Sequence, residues 1–247
     1  MPTEASTSAQ LRSFGNRGRH RLWGWRMRLN GWRPENGWRA FSTELIVVVL
    51  GVLIALGAEQ VVKQINTNKE VAEARAALRE EIGSATADIR ARLALSACVT
   101  RRINELDFRL QQYRKGKSFL PIAVIGRPMS TPPISQAWET LKASPAAMEL
   151  PTKERLAYGS LYESFATIRE VQSAERETWL QLQDFEGAPA LDPTSAMRLR
   201  GLIARAKITN DAMDRIGRSA MERAVGMAVP IGTRPPVESA SLCRPLP

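Results

Sequence analysis

The chain has 247 residues, 44% of them hydrophobic, and 35 Lys and Arg against 25 Asp and Glu give it a formal charge of +10. Length and hydrophobic content allow one moderate domain with a real core plus appendages. The two cysteines, Cys98 and Cys243, and the one histidine, His20, match no zinc or redox spacing, so no metal or cofactor is expected.

The charge is uneven. Residues 1–44 hold eight Arg and three Glu, so +5 falls on a short basic tail. The rest carries 27 Lys and Arg against 22 Asp and Glu, a mildly basic globular surface. Residues 1–10 read as disordered. Gly-Trp-Arg then recurs at 24–26, 31–33 and 37–39, and four of the six tryptophans lie between positions 23 and 38. Leu22, Trp25, Leu29 and Trp32 follow helical spacing up to Pro34. Tryptophan favours the headgroup region and arginine favours anionic lipid. Trp25, Trp32, Trp38, Arg26, Arg33 and Arg39 are therefore the expected interfacial anchors, with membrane lipid as partner. Arginine beside aromatics also suits nucleic acid. A tail tethered to an apolar stretch meets lipid first, so no nucleic-acid partner is expected.

Residues 45–58 are uncharged, with Glu44 before and Glu59 after. Fourteen helical residues reach about 21 Å, short of the roughly 30 Å hydrocarbon core. Extended to residues 41–62 the helix reaches about 33 Å, and both glutamates fall near the edges, where charge is tolerated. A transmembrane anchor over 41–62 is the leading reading. A signal cleaved after a small-x-small site at Ala55-Leu56-Gly57 and a soluble core helix are the alternatives. The arginine-rich tail of 1–40 resists translocation, which predicts a cytoplasmic N-terminus and an external C-terminal domain. Gly51, Ala55 and Ala58 share one helix face and allow close approach of a second span, so a homo-oligomer through the span or the following helix is a further expectation.

Apolar residues from Val71 to Tyr113 recur by threes and fours. This predicts one long helix with a coiled-coil-like seam, stopping at Gly116, with residues 60–78 as a stalk. Six prolines punctuate 117–151, read as a linker with one short helix over 134–143 anchored by Trp138. Thr152 caps a second long helix to about Glu186. Asp192 as cap and Pro193 as first residue start a third, to about Ala228. Residues 63–228 thus form an all-α domain, an antiparallel three- to four-helix bundle continuing from the span, and 229–247 an irregular tail.

Outside the cytoplasm a Cys98–Cys243 disulfide would pin that tail across the bundle; two free thiols are the alternative. No nucleophile elbow, phosphate loop or metal set appears, and Glu80-Glu81 reads as a solvated face. An enzyme is disfavoured, and no catalytic residue is assigned. All three helices turn polar near mid-length: Ser96 and Thr100, Gln172 and Glu175, Thr209 and Asn210. These form either a buried layer fixing register or a small-ligand pocket inside the bundle.

The order of "ELIVVVLGVLIALGAEQVV", a cysteine before "RRINELDFRLQQYRKGK", "IGRP", "AWETLKAS", "LYES", "AERETW" and a terminal "CRPLP" resembles an uncharacterised bacterial family. The resemblance covers residues 41–247. It implies a single apolar segment and a helical domain in Gram-negative envelopes, and no activity. Together these readings predict a single-pass inner-membrane protein presenting a periplasmic bundle to an envelope partner. A ligand-sensing bundle is the second reading.

Overall fold

The computed structural model describes residues 37–119, 121–234 and 240–246. The chain divides into two compact units, 1–57 and 58–247. A single helix, α1 (Gly37–Ala94), crosses the boundary between them. No proline lies between Pro34 and Pro121, so nothing removes a backbone donor from its hydrogen-bond ladder.

In the first unit the described residues are all helical. The Thr43 hydroxyl donates to the Arg39 carbonyl at 2.7 Å, and that of Ser42 to the Trp38 carbonyl at 2.7 Å. Trp38, Phe41, Leu45, Val48, Leu50 and Ile54 all lie on the surface of the helix. The most apolar 18-residue window has a mean hydropathy of 2.5 and no buried residue, which makes this a candidate membrane span. A helix satisfies its own backbone, as a crossing of lipid requires.

In the second unit α1 gives way at Leu95 to α2 (Ser96–Arg114). The predicted helix is therefore interrupted once. The Leu95 N–H bonds the Arg92 carbonyl at 3.1 Å, an i→i−3 bond that tightens one turn. Gly116, at φ +82, follows the end of α2, where a left-handed residue is least strained without a side chain. The proline-rich segment returns along the bundle and contains α3 (Gln136–Lys142) and α4 (Ala146–Glu149). α5 (Thr152–Gln183) and α6 (Pro193–Gly226) follow, then the short α7 (Ala240–Cys243). Thr152 is the first helical residue of α5 and not its cap, a place taken by Pro151. Asp192 caps α6 as expected, accepting from the Thr194 and Ser195 N–H groups at 2.8 and 3.1 Å.

Cross-helix pairs fix the directions. Arg75 meets Glu154, and Arg92 meets Glu175, so α5 runs parallel to α1. Arg223 meets Ser160, and Arg198 meets Asp184, so α6 is antiparallel to α5. The antiparallel character of the bundle comes through α6. The return of residues 117–151 allows α5 to climb in the same sense as α1.

Two apolar cores result. One joins Val71, Leu78, Ile82 and Ile89 to Leu161, Phe165, Ile168, Met213 and Ala220. The other joins Val99, Leu106 and Leu110 to Ile122, Trp179, Leu182, Leu199 and Leu202. Residues 60–70 are exposed but for one half-buried position, and burial begins at Val71, so the bundle takes only the last part, 71–78, of the expected stalk. Trp138 stacks on Tyr162 with centroids 5.4 Å apart, and this seats α3.

Candidate functional site

The two cores are separated along α1–α2, α5 and α6 by the polar positions. Between Ile89 and Val99 lie Arg92 and Ser96; between Ile168 and Trp179 lie Gln172 and Glu175; between Ala206 and Met213 lie Thr209 and Asn210. At the centre is Arg92, fully buried. Its Nε donates to Glu175 Oε2 at 2.9 Å, and its Nη2 donates to Glu175 Oε1 and to Asn210 Oδ1, the latter at 2.9 Å. Arg92 Nη1 reaches Ser96 Oγ at 3.4 Å, and Ser96 donates in turn to Asp214. Asn210 Nδ2 donates to Thr100 Oγ1 at 3.2 Å at the exposed margin. A buried guanidinium is stable only with such partners, and its planar fork matches the carboxylate of Glu175.

Five of the six expected layer residues are buried, and Thr100 is exposed. Arg92 occupies the centre between them. Thr209 turns its hydroxyl back to the Arg205 and Ala206 carbonyls of its own helix, and Gln172 bonds the Thr131 carbonyl of the return segment at 3.3 Å. An apolar seam favours Leu93, which is only half-buried; the buried positions Ile82, Ala85, Ile89, Arg92, Ser96, Val99 and Ile103 recur by threes and fours, and that spacing places Arg92 inward.

A second polar centre holds the C-terminal segment. Cys98 and Cys243 form a disulfide with Cα atoms 4.8 Å apart. Beside it the buried Arg102 donates through Nη1 to the Val124 carbonyl at 2.7 Å. Its Nη2 serves the carbonyls of Ser241 at 3.0 Å, Leu242 at 3.3 Å and Arg244. Arg102 Nε lies 3.2 Å from Glu105 Oε2, an ion pair without the direction of a hydrogen bond. Burial lowers the Arg102 pKa, opposed by Glu105. The tail expected to be irregular thus contains the turn of α7, and one arginine satisfies carbonyls at its end that would otherwise be left unpaired.

Glu81 is buried, unlike its neighbour Glu80, so the pair is not one solvated face. Tyr162 donates to Glu81 Oε1 at 2.6 Å, and the Ala137 N–H donates to Oε2 at 2.9 Å at the start of α3. Burial, with the bond to Glu81, pushes the Tyr162 hydroxyl pKa well up. The carboxylate thus ties α5 to the start of α3.

Gly51, Ala55 and Ala58 are exposed on α1, and a Cβ on Gly51 would meet open space. Trp38 and Arg39 lie at the start of α1. Trp25, Trp32, Arg26 and Arg33 lie outside the described residues. Among the described residues no group of three His, Cys, Asp or Glu side chains could hold a metal. No family model, curated protein or solved structure matches this chain.

Proposed function

We propose that this is a single-pass inner-membrane protein, anchored by residues 41–62 with a cytoplasmic N-terminus, whose helical bundle meets an envelope partner in the periplasm. The apolar surface of α1 is the observation that carries the reading: large aliphatic side chains point outward on all sides, an arrangement suited to lipid. The Cys98–Cys243 disulfide supports an oxidising compartment. The resemblance of its motif order to an envelope family would imply the same placement. The reading assigns no reaction, cofactor or nucleic acid. It takes lipid as one partner, a second copy through Gly51, Ala55 and Ala58 as another, and an envelope protein as the third.

Two measurements test it. Acid-quenched cells treated with a maleimide reagent should leave Cys98 and Cys243 unlabelled until reduction; immediate labelling of both contradicts the periplasmic placement. A photo-crosslinking residue at the exposed Phe108 should give a discrete protein adduct in membranes, and an absence of protein adducts there and at other exposed bundle positions removes the interaction role.

A further inference from the structure

Between the proposed span and the bundle, α1 runs alone. Residues 58–70 are exposed except for the half-buried Thr67, and burial in the first core begins at Val71. This neck belongs to the same compact unit as the bundle. It carries large aliphatic side chains in the open: Val61 is 59% exposed, Val62 58% and Ile65 61%. A short solitary helix is marginal in water, and helices gain most of their stability by packing an apolar face. The neck has such a face, and among the described residues nothing covers it.

The pattern of that face is regular. Ala58, Val61, Ile65, Asn68 and Ala72 follow one another by threes and fours, and all five are exposed. Steps averaging about 3.5 residues make the seam of a left-handed coiled coil, with Ala58, Ile65 and Ala72 at a and Val61 and Asn68 at d. In the sequence the same spacing continues backwards through Ile54 and Gly51. No seam residue is charged, although Glu59, Lys63, Lys69 and Glu70 lie among them. Lys63 and Glu70 fall at f, opposite the seam, where a coiled coil meets water. Ala72 is exposed while its neighbour Val71 is buried in the bundle, so the seam lies off the side that the bundle occupies.

We propose that the neck pairs, in parallel and in register, with the same segment of a second copy as a two-stranded coiled coil. The proposal rests on the membrane-anchor reading: copies held in one membrane with one orientation present this seam at one height and in one direction. Two-fold pairing then sets each seam residue opposite itself. An uncharged seam allows this without like-charge contact. Asn68 is self-complementary. Its Oδ1 accepts from Gln64 Nε2 of its own helix at 3.1 Å and keeps a second lone pair, while its Nδ2 is a donor for the same amide of the second copy. A lone asparagine in a seam fixes register. Val62, at the flanking e position, widens the apolar contact.

Cysteine crosslinking of the full chain in membranes tests this. Val61→Cys, Ile65→Cys and Asn68→Cys probe the seam, and Lys63→Cys and Glu70→Cys its opposite side. All five positions are exposed, so the fold is spared, and Cys98 and Cys243 are held in their own bond. Two tags of different mass, co-expressed, identify pairing between copies. Under a mild oxidant the seam variants should give a disulfide dimer carrying both tags, about tenfold more than the f variants, because only facing positions bring the sulfurs within bonding reach. Adding Ile65→Glu to Asn68→Cys should lower the dimer about tenfold, since two carboxylates then face each other. Equal yields at seam and f positions, no dimer from any variant, or indifference to Ile65→Glu overturns the proposal. Carbonate extraction separates the two failures. Chain retained in the membrane without seam-specific dimers sinks the pairing alone; chain released to the supernatant sinks the anchor and the pairing with it.

Discussion

Arg92 is fully buried and Glu175 nearly so, so each depends on the other for its charge. Removing one partner strands a buried ion, a loss of about 3–5 kcal/mol, whereas replacing both by apolar groups of similar volume is often near neutral. Arg92→Met and Glu175→Leu should therefore each lower stability strongly in urea unfolding followed by circular dichroism. The double variant should recover most of the loss, and additive losses would refute the pairing. Glu154 supplies a pH test. Its hydrogen bond with Arg75 holds its carboxyl below the ordinary 4.5 against the effect of burial. Its contribution is present above that value and fades as pH falls through the folded value. Arg75→Gln should flatten that acid loss, by a modest amount because both side chains are partly exposed. Asp88 has the opposite sign: burial raises its pKa against the pull of Arg234, so its contribution is lost as pH rises.

At the scale of elements, the caps and the fixed tail set the boundaries. Asp192→Ala should cost about 1 kcal/mol by freeing two N–H groups of α6, read as a shift in urea midpoint. Gly126 and Gly116 form a matched pair, both at positive φ. A Cβ at Gly126 would lie 3.1 Å from the Leu242 backbone nitrogen, while one at Gly116 meets nothing within 4 Å. Gly126→Ala should thus destabilise more than Gly116→Ala, which carries only the left-handed strain of about 1–2 kcal/mol. Helix existence, the Asp192 cap and the stop at Gly116 were legible because each depends on local backbone chemistry. The path of 117–151 was less so. Short connections suggest antiparallel neighbours, but this segment carries Phe119, Ile122 and Ile125 into one core and Leu141 and Leu150 into the other, so it spans the bundle and returns α5 parallel to α1. Arg92 holds an inward position of the three-and-four spacing, but a charged residue gives no apolar signal and its neighbour Leu93 does. Arg102 was hidden because its partners are carbonyls, which carry no residue identity.

At the scale of the whole molecule, the disulfide closes a loop between residues 145 apart, which in the chain-entropy model contributes up to about 4–5 kcal/mol. Cys98→Ser and Cys243→Ser should each remove the mobility difference between reduced and non-reduced gels and lower the urea midpoint. Arg102 would still hold the tail carbonyls, so helicity in the bundle should remain. The exposed apolar surface of α1 and the Cys98–Cys243 disulfide are independent supports for the proposed placement. Reporter fusions at Arg39 and at Gly187 test that placement most directly. A reporter active only in the cytoplasm should work at Arg39 and fail at Gly187, with a periplasmic reporter giving the reverse; cytoplasmic activity at Gly187 would contradict it.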